Sequence, residues 1–481
     1  MNFIDQLPVD LITGIFSLIC QPTEFHKDVI GYTPPFYLGT ICRSWRNLAW
    51  STPLLWTYIY LKVSSKPSNI QAELLKDCFA RSGSSLLSIV FRLENENFSW
   101  DPRTTYGSKP FTERLLRLIA TECARWKTLE VDIPNEGCAD ALGPTTLHAP
   151  HLQKLRIRIC QNHLSAFFVE QRGELSHFFL EGAVGMTVHL PNRIPEVWKS
   201  ITTIHLDNAV FVEDIIAILV ASHQTLRHFH IHRLGTFSDE SLPPAIAAEA
   251  EFPHIESLIL DGGSRNQLLS IFPIFLSAPK LRKLGIKMPK RMKPADLQLF
   301  LDQMGVSLEV LRVRLRWIED DGEFGRVQAE ALIKLLSQHS KTLREFALII
   351  QEFNRASDRF FDIFHRSLHC NGYIANGSVS GPTLLPLLKS YDFDPGFTTG
   401  PWDPEPEHAQ PAVLSALQMV QSRWRNSFHW VTERSFKLNL HDENRMWVLD
   451  YLKEEVREGL QVNFTEFLLG SPPLDNWCFE D

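Results

Sequence analysis

A short apolar pattern that recurs at long intervals constrains this chain most. The pattern apolar-x-x-apolar-x-apolar appears as LQKLRI from Leu152, LSHFFL from Leu175, ITTIHL from Ile201 and LRHFHI from Leu226. It continues as IESLIL from Ile255, LRKLGI from Leu281, LEVLRV from Leu308 and LREFAL from Leu343. Successive starts lie 23, 26, 25, 29, 26, 27 and 35 residues apart. Such short alternating runs predict strands, and the intervening VEDIIAILVASH, QLLSIFPIFLSAP, ADLQLFLDQMG and VQAEALIKLLSQH carry a helical period. One strand with one helix cannot bury its apolar face alone, so neighbouring units must stack. Less regular units extend the series: WTYIYL at 56, LLSIVF at 86 and TLEVDI at 128, then LLPLLKSYDF from Leu384 and FKLNL from Phe436. The last is followed by a predicted helix from Glu443 to Glu458 and the strand LQVNF.

Most of these intervals resemble those of leucine-rich repeats. The resemblance implies an α/β fold in which residues 63–481 form an irregular, ribonuclease-inhibitor-like solenoid. The family's asparagine or cysteine at the ninth repeat position occurs once in the eight regular repeats, as Cys160. No asparagine ladder is therefore expected. The alternative is a doubly wound α/β sheet, against which stands the lack of a glycine-rich phosphate loop after any strand. The register predicts that Leu258, Leu284 and Leu311 share one buried column. Two polar interruptions, residues 94–110 and a proline-rich stretch at 392–411, are predicted as loops, the second exposed.

The N-terminal residues differ from this array. Leu7-Pro8 is predicted to open a helix striped by Leu11, Ile15 and Ile19, widened by Ile12 and Phe16. Residues 21–37 read as a loop. A second helix is predicted over 38–50, with Leu38, Ile41, Cys42, Trp45, Leu48 and Ala49 on one face, stopped by Pro53. Two short helices cannot bury both stripes by themselves. The order Leu7-Pro8, Ile15-Phe16, Ile41-Cys42-Arg43-x-Trp45-Arg46 and Thr52-Pro53-Leu54-Leu55-Trp56 resembles the F-box family, with a longer loop than is typical. The resemblance covers about residues 1–62. It implies a short helical F-box-like module that docks on the Skp-type adaptor of a cullin-RING ubiquitin ligase. Leu7, Pro8, Leu11, Ile15 and Trp45 would then hold the module or touch the adaptor. The chain would be the ligase's substrate receptor and no enzyme. The other readings are a plain helical cap on the array, an interaction scaffold outside ubiquitin chemistry and an enzyme on an α/β scaffold.

Composition narrows the classes further. The chain has 481 residues, so two or more domains or one elongated array are expected. A net charge of −8 and a pI near 6.1 argue against nucleic acid as partner. Eight scattered cysteines without a CxxC pair suit a reduced intracellular protein, cytoplasmic or nuclear. No apolar run reaches the roughly 18 residues a membrane span needs. No nucleophile, phosphate-loop or metalloprotease motif is present, and no cofactor is expected. His228, His230 and His232 alternate along one strand, a spacing that can hold zinc. Without a local carboxylate or cysteine they read as a solvated or partner-facing surface, and no metal is assigned.

In a leucine-rich solenoid the strands line the concave side, and alternate residues point into it. The target-binding surface expected there contains Arg156, Arg158, His205, His230, His232, Lys287, Arg312 and Arg314. Phe179, Glu181, Asp207, Ile259 and Asp261 would lie among them. The target is a protein the sequence does not name. The bland alternative is a row of solvated strand residues.

Overall fold

The computed structural model describes residues 7–20, 34–63, 69–93, 109–142, 149–159, 175–182, 187–188, 195–234, 251–261, 271, 275, 277–288, 292, 294–316, 322–351, 357–369, 384–394, 410–426, 437–441 and 445–465. The chain divides into two compact units, Met1–Ser222 and His223–Asp481.

In the first unit the strands are β1 (Tyr58–Val63), β2 (Leu87–Leu93), β3 (Trp126–Ile133), β4 (Lys154–Ile159), β5 (His177–Gly182), β6 (Thr187–Val188) and β7 (Thr203–Val210). They pair in parallel and in chain order, except that β5 and β6 both pair with β7. In the second unit the strands are β8 (His228–Leu234), β9 (Ser257–Leu260), β10 (Lys283–Met288), β11 (Val310–Arg316), β12 (Glu345–Gln351), β13 (Ser390–Asp394), β14 (Lys437–His441) and β15 (Gln461–Thr465). These too are parallel and sequential.

Each apolar position of the recurring pattern occupies one column. Ile59, Ile89, Leu129, Leu155, Phe178 and Ile204 are register partners in the first unit. In the second, Leu284 pairs with both Leu258 and Leu311, and all three are fully buried, as their spacing predicts. Parallel neighbours require a crossover, and helices supply many of them. Asn69–Ser82 and Pro294–Met304 are two such helices, each followed by a glycine at positive φ, Gly83 at 58° and Gly305 at 62°. A left-handed residue just past the last turn closes a helix, and glycine adopts it without strain.

The fold expected from the sequence, a helical F-box-like module followed by a leucine-rich-repeat solenoid, is not what forms. Each unit holds an all-parallel sheet with connecting helices, an α/β architecture. Two physical reasons account for the difference. The connecting helices range from the four residues Pro195–Trp198 to the 17 residues Gly322–Gln338, so no uniform turn repeats from strand to strand. The N-terminal helices are also not set apart from the sheet. Trp56, which ends the turn Pro53–Trp56 directly ahead of β1, is buried in their core, and Cys78 of the first crossover helix packs on it.

Local boundaries shift as well. The single helix predicted over 38–50 is two, Pro35–Ile41 and Arg43–Trp50. Cys42 between them is extended, at φ −157° and ψ 169°, and its Sγ accepts the Trp45 amide at 3.4 Å to cap the second helix. The predicted loop over 21–37 therefore ends early, with Pro35 in the first helical turn; residues 21–33 lie outside the described residues. The helix predicted over 443–458 is divided at Leu452 into Arg445–Tyr451 and Lys453–Arg457. Of the proline-rich stretch, residues 392–394 end β13 and residues 410–411 begin the helix Gln410–Asn426; 395–409 lie outside the described residues. Residues 94–108 do so too. Among the described residues, no helix is long and apolar enough to cross a membrane.

Candidate functional site

The first helix, Val9–Cys20, is apolar on more than one side. Its amides at Leu11 and Ile12 bond the Pro8 carbonyl at 3.0 and 3.2 Å, so Pro8, which has no amide to lose, starts the first turn. One stripe, Ile12, Phe16 and Cys20, faces the N-terminal core with Leu38, Ala49, Leu55 and Trp56. Phe16 packs on Trp45 with ring centroids 4.8 Å apart. Trp56 meets Phe36 edge-on at 4.9 Å, and its Nε1 donates to the Ala49 carbonyl at 2.8 Å. The Arg81 guanidinium lies 4.6 Å from the Trp50 ring and 5.1 Å from Trp56, tying these helices to the first crossover helix.

The other stripe of the same helix is uncovered. Leu11, Ile15 and Leu18, spaced i, i+4, i+7, are 57%, 43% and 79% exposed. Val9, Ile19, Tyr37, Ile41, Trp50 and Leu54 are exposed too, so most of the large exposed apolar side chains among the described residues belong to residues 9–54. The sequence treats Leu11 and Ile15 as one widened stripe with Ile12 and Phe16. The fold separates them, sending 12 and 16 inward and 11 and 15 outward. Of the residues assigned to the adaptor, Pro8, Leu11 and Ile15 are exposed and Leu7 is half-buried. Trp45 is half-buried and packs against the N-terminal core.

The residues assigned to target binding divide by unit. In the first, Arg156 and Arg158 lie half-buried on β4, on the face opposite the apolar columns. They are part of a lattice of charges across β2 to β5. Arg92 donates to Asp132 at 3.0 Å and to Glu130 at 3.1 Å. Lys154 bonds the other Glu130 oxygen at 2.9 Å. Arg156 and Arg158 share Glu181, the latter at 3.1 Å. Burial raises the Glu130 carboxyl, but Lys154, Arg156 and Arg92 outweigh it and leave its pKa below the ordinary value. Two residues along β7, His205 Nε2 lies 2.7 Å from Asp207, and its ring is 5.8 Å from that of Phe179. His205 is buried, where the sequence places it on an open surface.

In the second unit His230 and His232 are also buried, at 6% and 2% exposure, and do not form the solvated surface read from their alternation. His230 Nε2 is 2.9 Å from the Ser257 hydroxyl. Arg314 is 4% exposed; its Nη1 donates to Asp261 at 3.1 Å, and Lys287 Nζ is 3.2 Å from the other Asp261 oxygen. Asp261 is itself 1% exposed, with the His232 ring 4.0 Å away, too far for a hydrogen bond. Burial raises the Asp261 carboxyl, yet the neighbouring His232 ring, with Arg314 and Lys287, holds it below the usual carboxylate range. Arg312 and Lys287 are half-buried. The pairing of β8 with β9 in parallel supplies the signal that a local search for carboxylates misses. His228 meets Ser257 and His230 meets Ile259, so the column continues from His232 to Asp261.

No family model matches the chain, and no curated protein matches it.

Proposed function

We propose that this chain is the substrate receptor of a Skp-cullin-F-box-type ubiquitin ligase. In this reading Pro8, Leu11 and Ile15, with Leu7 beside them, dock a Skp-type adaptor, and the strand face bearing Arg156 and Arg158 takes a protein target. The chain does no chemistry of its own. It holds the target near a ubiquitin-charged enzyme and so raises its local concentration.

The observation that carries the reading is the uncovered stripe Leu11, Ile15 and Leu18 on a helix whose other stripe is already packed. A contiguous exposed apolar surface on a water-soluble fold marks a partner site, because leaving it in water costs free energy. The F-box-like order of residues 7–56 supports the adaptor as that partner. Leu11→Glu with Ile15→Glu is expected to abolish capture of a purified Skp-type adaptor. The melting temperature should change little, since neither side chain belongs to the core. Undiminished capture by the double variant sinks the adaptor reading. Target capture by a chain that binds no adaptor would favour the scaffold outside ubiquitin chemistry.

A further inference from the structure

The charge lattice on β2 to β5 is not symmetrical in what it shows to solvent. Its carboxylates are sealed: the Asp132 side chain is 0% exposed, Glu181 13% and Glu130 14%. Its longer cations stand above them, Lys154 at 38%, Arg158 at 32% and Arg156 at 29%. With Arg92 there are four cations against three carboxylates on this face, although the whole chain carries −8. The accessible charge is therefore predominantly positive. Lys154 and Arg156 also flank the half-buried Phe179 ring, at 5.5 and 5.8 Å from its centroid. The ring props both heads where they are, so little rotamer freedom remains to be lost on binding.

Lys154, Arg156 and Arg158 occupy alternate positions of one strand. Alternate side chains of a strand stand about 6.6 Å apart on the same face, and those of an extended peptide have the same period. We propose that this face binds an extended, acidic segment of a protein target, laid along β4, with carboxylates at every second residue facing Lys154, Arg156 and Arg158. The proposal rests on the receptor reading and names the chemistry of the target. The carboxylates below fix the cations in place, while the peptide's carboxylates meet them from the solvent side. With three glutamates in all, a contiguous run turns every second one away from the strand and so matches at most two of the three cations.

The test titrates the full-length protein into a fluorescein-labelled hexapeptide in which three glutamates alternate with three serines, at physiological ionic strength. A second peptide has the same composition with its glutamates contiguous. The alternating peptide is expected to bind about tenfold more tightly, equivalent to about 1.4 kcal/mol. Lys154→Gln with Arg158→Gln should remove that preference while the protein still captures the adaptor. Equal affinity of the unaltered chain for both peptides, or binding of neither, overturns the proposal whether or not the variant folds. Peptide preference without adaptor capture would retain this site and sink the ligase reading instead; adaptor capture without the preference would do the reverse.

Discussion

The outward strand faces of the two units solve the same problem in opposite ways. Across β2 to β5, Arg92, Glu130, Asp132, Lys154, Arg156, Arg158 and Glu181 share charges in a lattice whose cations reach water. Across β9 to β11 the corresponding columns hold Ile259 and Val310, both buried, the pair Asp261–Arg314, sealed at 1% and 4% exposure, and the half-buried Lys287 and Arg312. Both faces look alike in sequence, as alternating residues beside apolar columns. Their energetics differ because an ion pair in water contributes about 0–1 kcal/mol, whereas removing one partner of a buried pair costs about 3–5 kcal/mol. The first face keeps its cations in contact with water, whereas the central pair of the second is committed to holding its unit together.

The comparison makes Arg314→Ala the most damaging of the strand-face substitutions. It leaves the buried Asp261 with Lys287 and the His232 ring beside it but without its closest guanidinium, and unfolding in denaturant should show a loss of about 3–5 kcal/mol. A loss under about 1 kcal/mol, the range of an exposed pair, would erase the distinction between the two faces. The same result bears on the sequence-based assignment of Arg314 to target binding, since a residue this deep supports the unit before it meets any partner.

Acid should separate the units next. His365 in the second unit is fully buried, with Nδ1 2.7 Å from the Ser415 hydroxyl and Nε2 2.8 Å from the Tyr391 hydroxyl. Burial lowers its pKa from 6.5 to about 3. Between those values the unfolded chain takes up a proton that the folded chain refuses, so stability falls as pH is lowered through that window. The slope from this one group is about 1.4 kcal/mol per pH unit. Asp261 acts in the same direction at lower pH: its depressed pKa contributes stability above the ordinary carboxylate value that is lost as pH falls through the folded one. Hydrogen exchange followed from pH 6.5 downward should show the second unit opening first. Earlier opening of the first unit would contradict the assignment of the acid-sensitive groups.

Arg158→Ala should have the smallest effect. Glu181 retains Arg156, Asp132 retains Arg92, and the Arg158 head is the exposed member of its pairs, so the expected cost is about 0–1 kcal/mol. A cost of several kcal/mol would show that the lattice is structural in the way the Asp261 pair is, and would close the first face as a recognition surface.

The strands were the most legible part of the chain. Their alternation fixed β4, β5 and β7 to β12 within a few residues, and the column Leu258, Leu284 and Leu311 followed from spacing alone. The break at Cys42 was hidden, because a thiol cap on the Trp45 amide leaves no mark in apolar periodicity. The site residues were legible in position but not in depth. Arg156 and Arg314 both sit two residues apart from another arginine on a strand, yet one is half-exposed and the other buried.

What the residues determined by themselves is local. Alternation sets which side chains share a strand face, and proline and glycine set where helices start and stop, because these follow from backbone geometry over a few residues. The tertiary structure decided the rest. It chose which stripe of Val9–Cys20 turns inward and which stays exposed, and it joined the N-terminal helices to the sheet through Trp56 and Arg81. It also sealed Asp261 while leaving Arg158 half-exposed. Burial depends on side chains far away in sequence, as Asp261 and Arg314 are 53 residues apart, and no local period records which distant side chain will cover a charge.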